Sequence, residues 1–314
     1  MALVLSFWTV PALRADVTIR YRSEIKPAAA LQPMLEAFLK TAQIGSSTSV
    51  RMKGNLGYTT AGNWIEIFDF TKQEVTLVDP AHKTVVTLPV SQLADKMANA
   101  LPHGTSAQMQ AAEQAMASVK INVESKMTGK TAEILGVQAE ERELTMTMDI
   151  PIPAGGNQTG QAGPSVTMVM HLWTAKKEEA LRNPAIRELT GYQAWQKYVM
   201  NPAGILEKLV GKLPGMSNTM EPMLQEIFKN PSVILRTQVE MYMPFLAAMA
   251  KQMSEHGQAG PAIDPDAPLL TMNQEVVELS NAPVDASIFE IPKDYKTVPA
   301  EEVIRDMLPA PNKQ

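Results

Sequence analysis

The side chains of this chain best placed to do chemistry are soft ones. Six methionines form three Met-x-Met pairs: Met146/Met148, Met168/Met170 and Met241/Met243. Thioethers can ligate Cu(I), which soft sulfur selects over harder cations. They can also line an adaptable apolar surface, because methionine is unbranched and polarizable, or simply fill a core in place of Leu or Val. Each pair lies in a segment that alternates apolar and polar, so strand geometry puts both thioethers on one face. The apolar sets are Leu144, Met146, Met148, Ile150; Val166, Met168, Met170, Leu172; and Val233, Leu235, Val239, Met241, Met243. Copper centres usually recruit a nearby His or Cys. His171 follows Met170 directly, but alternation sends it to the opposite face. No metal is assigned, and Cu(I) handling stays a lesser alternative. The six methionines are the candidate ligand-binding residues, on a soft sheet face suited to a lipid-like ligand.

Other chemistries find less support. The four histidines, His82, His103, His171 and His256, form no HxH or HExxH pair, so a zinc site has no motif. The absence of cysteine excludes thiolate nucleophiles, thiolate metal sites, disulfides and a lipidated cysteine anchor. There is no G-x-S-x-G elbow and no phosphate-cradling glycine loop, so no catalytic residue and no cofactor are assigned, and the chain reads as non-enzymatic. The charged runs Glu140–Glu143 and Lys176–Glu179 read as solvated faces or helix pairs. A net charge of −5 without a basic stripe argues against a nucleic-acid partner and against a polybasic membrane patch.

The elements that position the methionines follow from periodicity. Residues 2–10 form an apolar run, and Ala12 and Ala15 offer small-residue cleavage points before Asp16; residues 1–15 read as a signal peptide. The run is too short to span a bilayer, so the mature protein is expected to lack a transmembrane segment and to be periplasmic or secreted. Strands are predicted over 17–25, 50–53, 64–70, 74–78, 84–88, 119–127, 137–150, 166–172, 233–243 and 269–279, with Gly54–Gly62 as a connection. Asp79-Pro80-Ala81-His82 is the clearest turn. Helical insertions are expected at about 27–44, 90–117 and 176–229, with a shorter helix over 245–253 and a polar loop over 151–165. Short connections favour antiparallel pairing. The expectation is a single α+β domain over 16–314, a curved antiparallel sheet forming an incomplete barrel with helices packed on its concave side. Tyr192, Trp195 and Tyr198 fall along one helix side. They could pack a core, or the insert 176–229 could be a lid or a docking face for an envelope protein.

One resemblance adds to this. The C-terminal segment Ala282–Lys296, with Phe289, Pro292 and Tyr295 in an F-x-x-P-x-x-Y arrangement, resembles the closing segment of exported proteins with the lipoprotein-carrier fold typified by LolA and LolB. The stretch Trp64–Leu88, with its Asp-Pro turn and Lys83-Thr84-Val85-Val86, resembles their central hairpin. Together these cover well under a third of the chain. The resemblance implies an incomplete barrel with a greasy concavity, and no carrier residue transfers onto the methionines. The expected function is non-enzymatic binding of a hydrophobic small molecule or a lipidated protein in the cell envelope. The alternative is an envelope scaffold whose sheet interior is filled.

Overall fold

The computed structural model describes residues 16–29, 32, 47–61, 64–100, 119–149, 166–197, 232–246, 250 and 263–307. Five strands follow β1 (Val17–Pro27) as a meander: β2 (Thr48–Lys53), β3 (Leu56–Ala61), β4 (Trp64–Asp69), β5 (Glu74–Asp79) and β6 (Thr84–Pro89). After helix α1 (Val90–Ala100) come β7 (Lys120–Ile134), β8 (Val137–Asp149) and β9 (Val166–Ala175). Helices α2 (Glu179–Arg182) and α3 (Pro184–Trp195) precede β10 (Ile234–Tyr242) and β11 (Leu270–Ser280). A 3₁₀ turn (Ala286–Phe289), β12 (Lys296–Thr297) and α4 (Ala300–Met307) close the chain. The strands form one open sheet in the order β12-β6-β5-β4-β3-β2-β1-β11-β10-β9-β8-β7. All pairings are antiparallel except the parallel β12–β6 contact. The expected α+β class and antiparallel sheet hold at this level.

The departures from the sequence reading have local causes. Leu56–Ala61, expected as a connection, is a full strand between β2 and β4. Its Gly57, Thr59 and Thr60 lack the apolar alternation that marks a strand, and neighbours on both sides supply the pairing instead. β1 runs to Pro27 rather than yielding to a helix there, because Pro27 still pairs with Leu270. β7 extends well past Met127. A register shift between Met127 and Thr131, with Gly129 at φ +78°, interrupts the alternation before the strand resumes. Leu135 (φ 49°) and Gly136 (φ +76°) then make a two-residue turn into β8, the positive φ at both positions matching the twist of the flanking strands. Met243 lies just beyond the end of β10 and is not a strand residue. Helix α4 was not foreseen. The predicted segments 1–15, most of 27–44, 101–117, 151–165, 198–229 and 247–253 other than Ala250 lie outside the described residues.

The helices pack on one face of the sheet. In β1 the odd residues from Val17 to Ile25 turn inward and the even ones outward, and Val17 and Ile19 join the main core with Phe68, Leu77 and Leu88. α3 covers them. Asn183 caps its N-terminus, accepting from Ala185 N at 2.9 Å, and Pro184 starts the first turn. Ile186, Leu189, Tyr192 and Trp195 form its buried stripe. α1 contributes Val90, Leu93 and Ala100, and α4 contributes Val303 and Ile304, to the same core. The other face of β4–β6 carries a smaller cluster, Ile67, Val78 and Val85, covered by Phe289, Ile291 and Tyr295. Two residues of the F-x-x-P-x-x-Y segment, Phe289 and Tyr295, thus act as a cover for the sheet. Phe289 stands edge-on to Tyr58, with ring centres 6.1 Å apart.

Two substitutions probe this architecture. A Cβ on Gly57 would meet Phe70 Cζ at 2.7 Å, and Phe70 cannot easily yield because Trp195 and Tyr192 hold it at 4.7 and 5.7 Å. Gly57→Ala is expected to lower stability by ~1–3 kcal/mol in urea denaturation. Leu135 holds a left-handed conformation that costs a branched side chain, and it is 53% exposed with little burial to offset that cost. Leu135→Asn, which suits the first position of this turn, is expected to raise stability by roughly 0.5–1 kcal/mol on the same assay.

Candidate functional site

Strand pairing assembles the methionines into transverse rows. Val123, Met146, Met168, Met241 and Leu270 stand directly opposite one another across β7, β8, β9, β10 and β11. Along the next row, Leu144, Met170, Val239, Met272 and Ile25 are opposed in turn. Met148 opposes Val166 on one side and Ile121 on the other. Opposed residues in an antiparallel pair share a face and lie about 4.5–5.5 Å apart at Cα, so the thioethers and the apolar residues of the next strand are cross-strand neighbours. The rows share the face of Ile25, which is the face of Val17 and Ile19 and hence of the core helices. Met272 belongs to this surface although it has no Met-x-Met partner. Only the register of β11 against β10 reveals it, and no local sequence signal could have found it.

Burial across the face is uneven. Leu144, Met146, Val166 and Leu172 are buried, Leu144 and Leu172 almost completely. Met148, Met168, Met170, Met241 and Met243 are each half-buried. Met127, at the end of the strand predicted over 119–127, is 56% exposed at the bulge. The sheet thus brings five of the six candidate methionines onto one apolar surface and leaves Met243 at its margin.

The reverse face is polar. Glu143, His171, Gln238, Asn273 and Glu24 form one row there, and Thr145, Val169, Glu240 and Thr271 the next. Tyr242 donates to Glu240 at 2.6 Å, and this bond to a carboxylate pushes the phenol up to about 12. His171 is on this side, as alternation required, with Nδ1 at 3.0 Å from Glu141. That contact is close in distance, yet the ring nitrogen lacks hydrogen-bond geometry.

Glu141 overturns the reading of residues 140–143 as a solvated run. Its side chain is only 3% exposed, and it accepts from Thr128 Oγ1 at 2.6 Å and lies 3.1 Å from Lys130 Nζ. Burial by itself would raise its carboxyl, but the bonds from Thr128 and Lys130 and the nearby Lys130 and His171 charges outweigh it and hold the group below its usual range. The bulge in β7 brings Thr128 and Lys130 to it. Glu179, in the second charged run, is likewise buried. Among the aromatics, Tyr192 and Trp195 stack at 6.3 Å within the core, which is packing, while Tyr198 lies outside the described residues. Trp173 carries Arg236 over its ring at 5.8 Å.

The expected Asp79 turn forms. Asp79 Oδ1 accepts from Ala81 N at 2.8 Å and His82 N at 3.2 Å, and Oδ2 meets His82 Nδ1. With Asp306 this is the one trio among the described residues whose ligand-type atoms converge, within 4.8 Å. Turn capping already accounts for the buried Asp79. His103 and His256 lie outside the described residues. Among the described residues no helix is long and apolar enough to cross a membrane. No family model matches this chain, and no curated protein matches it.

The depressed Glu141 carboxyl has a consequence for stability. A folded-state value below the unfolded one favours folding above the ordinary carboxylate range, and that contribution disappears as pH falls through the folded value. Glu141→Gln is expected to cost ~1–3 kcal/mol at pH 7. In denaturation at decreasing pH, the gap between wild type and variant should close below pH 4.5. A gap that persists unchanged at acid pH would show that the charge of Glu141 is not what stabilises the fold.

Proposed function

We propose that this is a non-catalytic binding protein for a hydrophobic ligand, a lipid or lipidated partner, acting in the cell envelope. The observation that carries the reading is the continuous row Val123–Met146–Met168–Met241–Leu270. Five strands contribute adjacent apolar side chains at one level, and three of these side chains are thioethers that adapt to an irregular partner. Most of these methionines are half-buried, so their surface is partly available. The polar reverse face leaves the methionine face as the apolar side of this half of the sheet. The resemblance of the Phe289–Tyr295 segment and of Trp64–Leu88 to lipoprotein carriers supports the same reading, and residues 1–15, as a signal peptide, support a periplasmic or secreted location.

A second reading has its own support. Leu144, Met146 and Leu172 are buried to 4% exposure or less, as a filled interior requires. On that reading the protein is an envelope scaffold, the methionines are core, and the insert 176–229 docks a partner. Cu(I) binding draws no support from His171, which faces away from the thioethers.

The two readings separate by native mass spectrometry on protein isolated from its own cell envelope. Wild type is expected to carry an adduct of lipid mass. Met168→Lys, at a half-buried position where a lysine can reach solvent, is expected to keep its far-UV circular dichroism and to lose the adduct. An adduct retained in full by the folded variant would sink the binding reading, and bare wild-type protein would favour the scaffold.

A further inference from the structure

A cavity of about 430 Å³ opens where the far ends of β7–β9 meet the two helices that follow them. It is separate from the methionine rows and does not depend on how they are read. Its size falls within the range of small-molecule sites. Ala175, Ala180, Ile186 and the exposed Met127 supply an apolar wall. Arg142, Lys176 and Lys177 supply three cationic groups against one carboxylate, Glu140. Neither lysine ammonium has an ion-pair or hydrogen-bond partner among the described residues.

Backbone bonds hold the lysines at the rim. Lys176 N donates to Gln138 O at 2.9 Å and Ala175 N to Val233 O at 2.8 Å, so the segment is clamped between β8 and the chain entering β10. On the opposite wall, Thr190 donates its hydroxyl to Ile186 O at 2.7 Å, so that donor is already engaged. Apolar wall and cationic rim together select a ligand with two unlike ends. We infer that this cavity binds a single-chain anionic amphiphile, its oxyanion head at Lys176 and Lys177 and its chain against Ile186, Ala180 and Met127. A cation would meet the excess positive charge, and a free inorganic anion would leave the apolar wall unused.

Isothermal titration of the full chain with dodecanoate, dodecyltrimethylammonium and inorganic phosphate tests this. Dodecanoate is expected to bind at one site, with the cation and phosphate at least roughly tenfold weaker. The double variant Lys176→Gln/Lys177→Gln changes two solvent-reaching side chains and should weaken dodecanoate roughly tenfold or more. Ala180→Phe, which fills the cavity, should do the same. Met168→Lys should leave this dodecanoate site intact, so failure here and failure of the methionine-face reading can be told apart. Absence of dodecanoate binding overturns the inference. So does equal affinity for cation or phosphate, or unchanged affinity in either cavity variant.

Discussion

The rest of the structure depends on the pairing of β1 with β11. β1 is the strand at which two runs of hairpins meet, β2 to β6 on one side and β11 to β7 on the other. Strands adjacent in the sheet here are some 250 residues apart along the chain, so the contact costs more ordering than any hairpin in the molecule. Without it, β1 and β11 would each present an unpaired edge, with backbone groups seeking other partners. The seam is fastened at one end by Asp16, whose carboxylate accepts from Val284 N at 2.7 Å and Lys53 Nζ at 3.0 Å. Burial works against that charge, but the Val284 amide and the Lys53 ammonium outweigh it and hold Asp16 below the usual range. Tyr21 adds a bond across the sheet, donating to Ile234 O at 3.3 Å.

The same strand sets one face for both halves. Because β1 keeps its alternation from Val17 to Ile25, the side that packs against α3 is also the side that carries the methionine rows. One end of this surface is filled by helices bearing large rigid groups, with Phe70 wedged between Tyr192 and Trp195. The other is lined by thioethers and branched aliphatics. These suit different tasks: interlocking aromatics fix a unique packing, whereas methionines adapt to what they touch. The reverse face divides in the same way. Under β4–β6 it is apolar and covered by the C-terminal segment, while under β8–β10 it is polar and anchored by the buried Glu141.

Much of this organisation was legible from periodicity. The strands carrying Met146, Met168 and Met241, the meander from Trp64 to Leu88 and the Asp79 turn all follow from alternation and turn chemistry, because those signals act within a few residues. β3 was hidden by its glycine and threonines. The second half of β7 was hidden by the break at Gly129, and the burial of Glu141 by a run of charges that looks solvated when read locally. In each case the deciding partner lies elsewhere: β2 and β4 for β3, Thr128 and Lys130 for Glu141. No local pattern can register a partner contributed by another strand.

The sequence by itself determined that the chain folds around antiparallel strands, that Met146/Met148 and Met168/Met170 each share a face, and that His171 points away from Met170. Strand geometry leaves no other choice, since successive side chains must alternate. Only the tertiary structure decided that Met146, Met168 and Met241 fall into register as one row, that Met272 joins the same face and Met243 does not, and that Lys176 and Lys177 stand at the rim of a cavity. Register and juxtaposition are set by pairings between distant strands, and a one-residue slip in any of them would have turned a strand's methionines to the opposite face.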